Sequence, residues 1–355
     1  MTANLILRAG PDAYAAIRRD GFDPAMIGAL AGASGGAKWL VLSQLDRVVA
    51  TEILPKLEAP VHTIGTSIGA WRFACYAQSD PLAAIERFEE AYIEQRYSAK
   101  PDRREITDRS IEILDRVIPD AELDYMLGNP ALRMHVMTVR ARHILATENT
   151  PLLVAGLAAT AGLNALSRRS LGLFFERALF HDARDEPPFL GLAGFPLQEI
   201  PLSRENLKKA VLATGSIPLV LEGVPDIAGA RRGVYRDGGV IDYHLDLPHS
   251  HPGRLALYLH FYDYLKPGWF DKKLDWRRPR PEHVANTLLV SPSPEFVASL
   301  PNAKIPDRHD FTRYGEDERI RNWREAVDRC RALADEFAEL LANGRLADRL
   351  VPWEG

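Results

Sequence analysis

The 355-residue chain is 46% hydrophobic and 26% charged, which supplies a large buried core and excludes wholesale disorder. Its formal net charge of −4 gives no global attraction to nucleic acid or to an anionic membrane, so no nucleic-acid partner is expected and a membrane would need a local patch. The only cysteines, Cys75 and Cys330, exclude a disulfide framework and a cysteine-rich metal site, and suit a reducing compartment.

The first twenty residues carry a short apolar run broken by Arg8, Gly10, Pro11 and Asp12, without the long apolar stretch and small-residue cleavage site of a signal peptide. Residues 11–20 suggest a helix. Met26 to Ala31 is a compact apolar run that suits a buried strand, and a glycine-rich turn follows at once. Lys38 to Leu54 has helical spacing of Leu40, Leu42, Leu45, Val48, Val49 and Ile53. Pro60 to Gly65 reads as a second buried strand and Ile68 to Tyr76 as the helix after it. Strand, glycine loop, helix, strand, serine turn, helix is the signature of a parallel sheet covered by helices.

Further along, residues 81–127 read as charged helices, Met134–Val139 as a strand, and 151–180 as an apolar helical insertion. Within it, Pro151 to Leu166 falls short of the ~20 apolar residues a spanning helix needs. Ser203 is placed as the N-cap of a helix over 204–213. Leu255–Phe261 and Thr287–Val290 are strand candidates, and a C-terminal helix is expected over about 316–342. With no repeat or low-complexity tract, residues 1–355 read as a single α/β domain, a three-layer α/β/α arrangement with a mainly parallel central sheet. The protein is expected in the cytoplasm.

Three segments carry chemistry. Gly65-Thr66-Ser67-Ile68-Gly69 is a G-x-S-x-G between a predicted strand and a predicted helix, the setting of a nucleophile elbow. There the serine sits on a strained turn, side chains two residues either side would clash with it, and the following helix aims N–H groups at a forming oxyanion. Gly35-Gly36-Ala37-Lys38 again follows a strand and opens a helix, so consecutive N–H groups can approach a carbonyl oxygen, with Lys38 adding positive charge. Trp39 stands where a phosphate loop would need Ser or Thr, and the spacing fails a dinucleotide fingerprint. Asp237-Gly238-Gly239 would, alone, read as a turn.

In their order along the chain these segments resemble the patatin-like phospholipase family. Gly35 to Lys38 matches its G-G-x-[RK] loop, Gly65 to Gly69 its elbow, Ala213 to Pro218 the stretch before its acid, and Asp237-Gly238-Gly239 its D-G-G. Specific motifs cover roughly 25–80 and 200–250. The resemblance implies a patatin-like fold and hydrolysis of a carboxylic ester, with Ser67 as nucleophile, Asp237 as base, and Gly35, Gly36, Ala37 and Lys38 as the oxyanion loop. Gly65, Gly69, Gly238 and Gly239 would support the elbow and the acid. It implies a lipid or other acyl-ester substrate, no cofactor and no metal, and transient contact with a membrane surface. Trp39 after Lys38, and the lack of an Asn-x-Pro after the D-G-G, depart from the family pattern and bear on substrate preference. Two other readings share these residues: acyl transfer from the same serine, and a catalytically silent lipid-binding protein.

The histidines suggest alternatives. His244 follows the acid and would convert the dyad to a triad, although a polar rim position is the simpler reading. His249-Ser250-His251 reads as a solvated loop rather than a metal pair, for want of a third ligand. His62, in the strand before the elbow, reads as a core histidine. Leu171, Leu173, Phe174, Phe175, Leu179 and Phe180 are candidates for a lid or acyl-binding face beside Arg168 and Arg169, with plain packing over the sheet as the alternative.

Overall fold

The computed structural model describes residues 3–353, in an α/β fold with a mostly parallel central sheet flanked by helices. The strands are β1 (Leu5–Ala9), β2 (Ile27–Gly32), β3 (Val61–Thr66), β4 (Leu132–Ala141), β5 (Phe175–His181), β6 (Leu197–Pro201), β7 (Val224–Pro225), β8 (Val234–Asp237), β9 (Leu255–Leu259), β10 (Thr287–Pro292) and β11 (Leu350–Pro352). They are ordered β11-β1-β10-β9-β2-β3-β4-β5-β6, with β8 also bonded to β4 and β7 to β8. From β10 through β9, β2 and β3 to β4 every neighbour runs parallel. All residues of β2 and β3 are buried, as expected of strands covered on both faces, and each large apolar side chain such as Leu30 or Ile64 contributes on the order of 1.5–3 kcal/mol.

Beneath the elbow helix Ile68–Tyr76 lies a buried polar knot. Arg72 donates to both carboxylate oxygens of Asp46, and the Tyr76 hydroxyl donates to the same group at 2.7 Å. The knot fixes the helix that follows Ser67 against the segment Ser43–Val48, which packs in turn on the C-terminal helix Arg331–Ala342.

Several expectations from the sequence are corrected. The apolar insertion 151–180 is only partly helical. A helix spans Thr150–Leu166, but Phe175–His181 is β5, antiparallel to β4 within the main sheet. Its charged residues misled the periodicity because they are buried and paired: Glu176 with Arg140 and Arg231, Arg177 with Asp242. The C-terminal helix over 316–342 is two helices, Glu316–Arg329 and Arg331–Ala342, separated at Cys330. The 38–54 stretch is not one α-helix but 3-10, α and π turns in succession from Gly36 to Lys56. The helix placed at 204–213 is Leu207–Gly215, and Ser203 accepts through its carbonyl from Leu207 in the preceding turn rather than capping with its side chain. Among the described residues no helix is long and apolar enough to cross a membrane.

Candidate active site

Ser67 and Asp237 stand 170 positions apart, and sheet register brings them together. β4 pairs first with β3, up to the rung Thr66↔Met137. At the next rung, Thr138↔Asp237, the partner has become β8, which runs antiparallel to β4. β3 therefore ends where β8 ends, tip to tip, with Ser67 one residue beyond Thr66 and Asp237 closing β8. The same end of the sheet carries the turn after β2, because β2 and β3 run parallel with Gly32 opposite Gly65.

Ser67 has φ 51° and ψ −128°, a conformation that non-glycine residues rarely adopt and that holds the side chain out from the turn. The flanking glycines are needed, for a different reason from the clash with serine expected above. A Cβ on Gly69 would lie 2.1 Å from the Gly32 carbonyl oxygen, and one on Gly65 would lie 2.4 Å from the Ala70 nitrogen. Elbow helix and strand pack backbone to backbone, and only glycine allows that approach.

The segment Ala213–Ser216 clamps both candidates. The Ser67 N–H donates to Thr214 Oγ1 at 2.8 Å, the Thr214 hydroxyl donates to the Met137 carbonyl, and the Asp237 N–H donates to the Ser216 carbonyl at 3.0 Å. Sequence reading noted this stretch only as a motif; the hydroxyl of Thr214 is its working part. Ser34, which opens the glycine loop, has no role assigned from the sequence. Its hydroxyl donates to Thr66 Oγ1 at 3.1 Å, and the Thr66 hydroxyl donates to the Asp242 carbonyl at 3.0 Å. This chain of hydroxyls ties the glycine loop to the residue before Ser67.

Asp237 is buried without a cation bonded to it. Burial pushes its carboxyl up to about 6, against the Ser67 hydroxyl, the Gly239 N–H at 2.7 Å, the charge of Lys272 and the Ser34 hydroxyl, each of which holds it down. Gly239 is required for this contact, since a Cβ there would lie 2.2 Å from Ser34 Oγ. A carboxylate near neutrality beside a serine hydroxyl has the basicity of a proton acceptor and no competing ion pair.

In the oxyanion loop, Gly36 has φ +56°, and the N–H groups of Gly35, Gly36 and Ala37 meet no hydrogen-bond acceptor among the described residues. Three adjacent free donors are what a developing oxyanion requires. Lys38 points past them toward Phe261, 5.5 Å from that ring, with its pKa lowered chiefly by burial. Lys272 reaches the same mouth, its ammonium 3.9 Å from the centre of the Tyr243 ring. Burial, and then the charges of Lys38 and Arg308, press its pKa down to about 7.

The candidate triad histidine is not built into the site. His244 is buried rather than at the rim; its Nδ1 accepts from the Lys266 N–H at 2.9 Å and its Nε2 meets no partner, so it bridges neither Ser67 nor Asp237. His249 is also buried, between the Thr287 hydroxyl at 3.0 Å and the Leu245 carbonyl at 2.7 Å, which corrects the solvated loop expected there; His251 is exposed. His62 is a core histidine as expected, 3.0 Å from His135 across ring nitrogens. No group of three or more potential metal ligands occurs among the described residues.

The dyad lies below the surface, and the insertion offered as a lid or acyl-binding face packs largely into the fold. Ser67 is 5% exposed and Asp237 6%, so the pair meets solvent only narrowly. Residues 151–180 instead pack Leu153, Leu157, Leu171 and Phe175 against Val139, Val240 and Ile241, behind the acid loop. A hollow of about 530 Å³ lies elsewhere, lined by the charged side chains of Lys100, Arg104, Glu105, Asp108 and Arg109; it shares no residue with the dyad.

No family model matches the chain, and no curated protein matches it significantly.

Proposed function

We propose that the chain is a patatin-like serine hydrolase that cleaves carboxylic esters, with lipid acyl esters as its substrate class. The observation that carries this reading is the meeting of β3 and β8 at their tips, which sets a strained Ser67 beside a buried, unpaired Asp237.

Ser67 Oγ attacks the ester carbonyl carbon while its proton passes to Asp237. The carbonyl oxygen takes the negative charge and is held by the N–H groups of Gly35, Gly36 and Ala37. Collapse expels the alcohol, which takes the proton from Asp237 and leaves an acyl-Ser67 ester. Water then loses a proton to Asp237, attacks the acyl carbon, and the acid departs as the proton returns to Ser67 Oγ.

The test is labelling by a fluorophosphonate together with hydrolysis of p-nitrophenyl esters of increasing chain length. Wild type should label once and turn over; Ser67→Ala should do neither while keeping its thermal midpoint. Equal turnover by wild type and Ser67→Ala on every ester accepted would refute the proposal.

A further inference from the structure

The helix Thr150–Leu166 has no charged residue in 17 positions. One face, with Leu153, Gly156, Leu157, Thr160 and Asn164, is buried. The opposite face should be polar in a helix that ends at water. It is instead made of leucine, valine, alanine and glycine, with Leu152 and Val154 exposed near its start and Leu163 and Leu166 at its end. Leu166 is 85% exposed, and Leu173 just beyond is 60% exposed.

A second element completes this surface. The loop 272–280, KKLDWRRPR, is fastened to the last turn of the helix: Arg277 donates to the Asn164 carbonyl at 3.1 Å, and the Asn164 amide donates to Asp271 at 2.8 Å. Trp276 in that loop is 69% exposed. The acids of the segment are already neutralised, Asp271 by Arg168 and Arg277 and Asp275 by Lys266. Arg169, Lys273, Arg278 and Arg280 are exposed and form no ion pair among the described residues.

We infer that the C-terminal end of helix Thr150–Leu166, with Leu173 and the loop 272–280, is a docking face for an anionic lipid bilayer. Leucines that enter the acyl boundary, a tryptophan at the headgroup level and unpaired cations around them are the parts such a face needs. A chain of net charge −4 gains this attraction only from a local patch, and here the unpaired cations outnumber the one exposed acid, Asp275, which Lys266 contacts at 3.3 Å. The face borders the acid loop, because the loop 272–280 begins at Lys272, whose ammonium lies 3.9 Å from the centre of the Tyr243 ring. Docking would therefore bring the mouth of the site to the lipid.

The inference rests on the lipid reading of the dyad, yet its test needs no turnover. Ser67→Ala protein is sedimented with vesicles of phosphatidylcholine alone or with about 30 mol % phosphatidylglycerol. Binding to the anionic vesicles should be at least tenfold stronger and should fall steeply as NaCl rises from about 0.05 to about 0.5 M. Leu166→Asp combined with Trp276→Ala, and separately Lys273→Glu combined with Arg278→Glu, should each weaken it tenfold or more. Since Cys75 and Cys330 are buried, a polarity-sensitive dye placed on Leu166→Cys reports the same contact without disturbing the core, and its emission should shift to the blue with anionic vesicles only. Absence of binding, equal binding to both vesicles, or an unmoved dye would overturn the inference. So would a concentration-dependent dimer that Leu166→Asp dissolves, which would give the face to a second copy of the chain. Vesicle binding by a protein whose Ser67 proves unreactive would leave this inference standing and remove the hydrolase reading; turnover of soluble esters without vesicle binding would do the reverse.

Discussion

The two ends of one short segment, Asp237 and Asp242, are buried alike and used differently. Asp242 accepts two hydrogen bonds from Arg177, at 2.7 and 2.8 Å, in an ion pair with almost no solvent. Asp237 has no such cation bonded to it; the Ser67 hydroxyl, the Gly239 N–H and the more distant charge of Lys272 hold its charge, and burial wins, leaving it near 6. A buried acid that is paired fixes geometry, because its charge is satisfied in the fold. A buried acid left under-compensated keeps its basicity for a reaction, and the fold bears the cost. The segment thus divides the two duties between residues five positions apart.

The largest effect that would break this comparison is on turnover. Asp237→Asn keeps size and hydrogen-bonding shape but removes the proton acceptor, so kcat should fall by about 10³ or more. In wild type the rate should rise with pH along a limb centred near 6, because the acceptor works only when deprotonated. Hydrolysis of a soluble ester across pH 4.5–8.5 measures both. A wild-type profile flat through that range, or an Asn variant with near-native kcat, would show that Asp237 is another structural acid.

The converse test addresses stability. Arg177→Ala leaves Asp242 charged, buried and alone, which should cost about 3–5 kcal/mol in denaturant unfolding. Arg177→Met with Asp242→Leu should restore much of the loss, since a buried pair replaced by apolar groups is often neutral. Failure of the single variant to destabilise would mean that water reaches Asp242.

How much of this was legible in the sequence depended on whether a residue's identity is set by its own backbone or by a distant partner. Gly65 and Gly69 were legible through the G-x-S-x-G spacing around Ser67, and Gly239 through the D-G-G, although the atoms that exclude a Cβ at Gly69 and Gly239 belong to the distant Gly32 and Ser34. So were β2, β9 and β10, whose apolar runs are what a strand buried on both faces requires, and β3 through its place before the serine turn. β5 was not, because Glu176 and Arg177 look like surface residues until Arg140 and Asp242 arrive from elsewhere in the chain. His244 and His249 failed in the same way: they read as rim and loop, and tertiary contacts bury both. Thr214 and Ser34 carry no signal of their own, since a hydroxyl at such a place has meaning only when Ser67 and Asp237 are already in position.

A smaller effect sharpens the contribution of the oxyanion loop against that of the acid. Gly36→Pro removes one free N–H and forces a φ near −65° where the chain holds +56°, so kcat should fall by about 10². Because the acid is untouched, the pH limb near 6 should stay where it is while the plateau drops. A limb displaced along with the plateau would mean that the loop acts through Asp237 rather than on the oxyanion.

The smallest effect separates the two acids by sign. Asp237 has a folded pKa of about 6 against 3.8 for the free side chain, so between these values the native state binds more protons than the unfolded chain. Stability from this group is therefore full below about 3.8, declines as pH rises toward 6, and is flat above. At pH 7 the charged, buried carboxylate costs roughly 2–3 kcal/mol, which Asp237→Asn should recover as a higher unfolding midpoint. At pH 3.5, where wild type is itself protonated, the two midpoints should coincide. The same substitution would thus abolish turnover and stabilise the protein, whereas breaking the Arg177–Asp242 pair destabilises it. Should Asp237→Asn lower the midpoint at pH 7, the carboxylate is a stabilising charge, and the contrast between the two ends of the segment disappears.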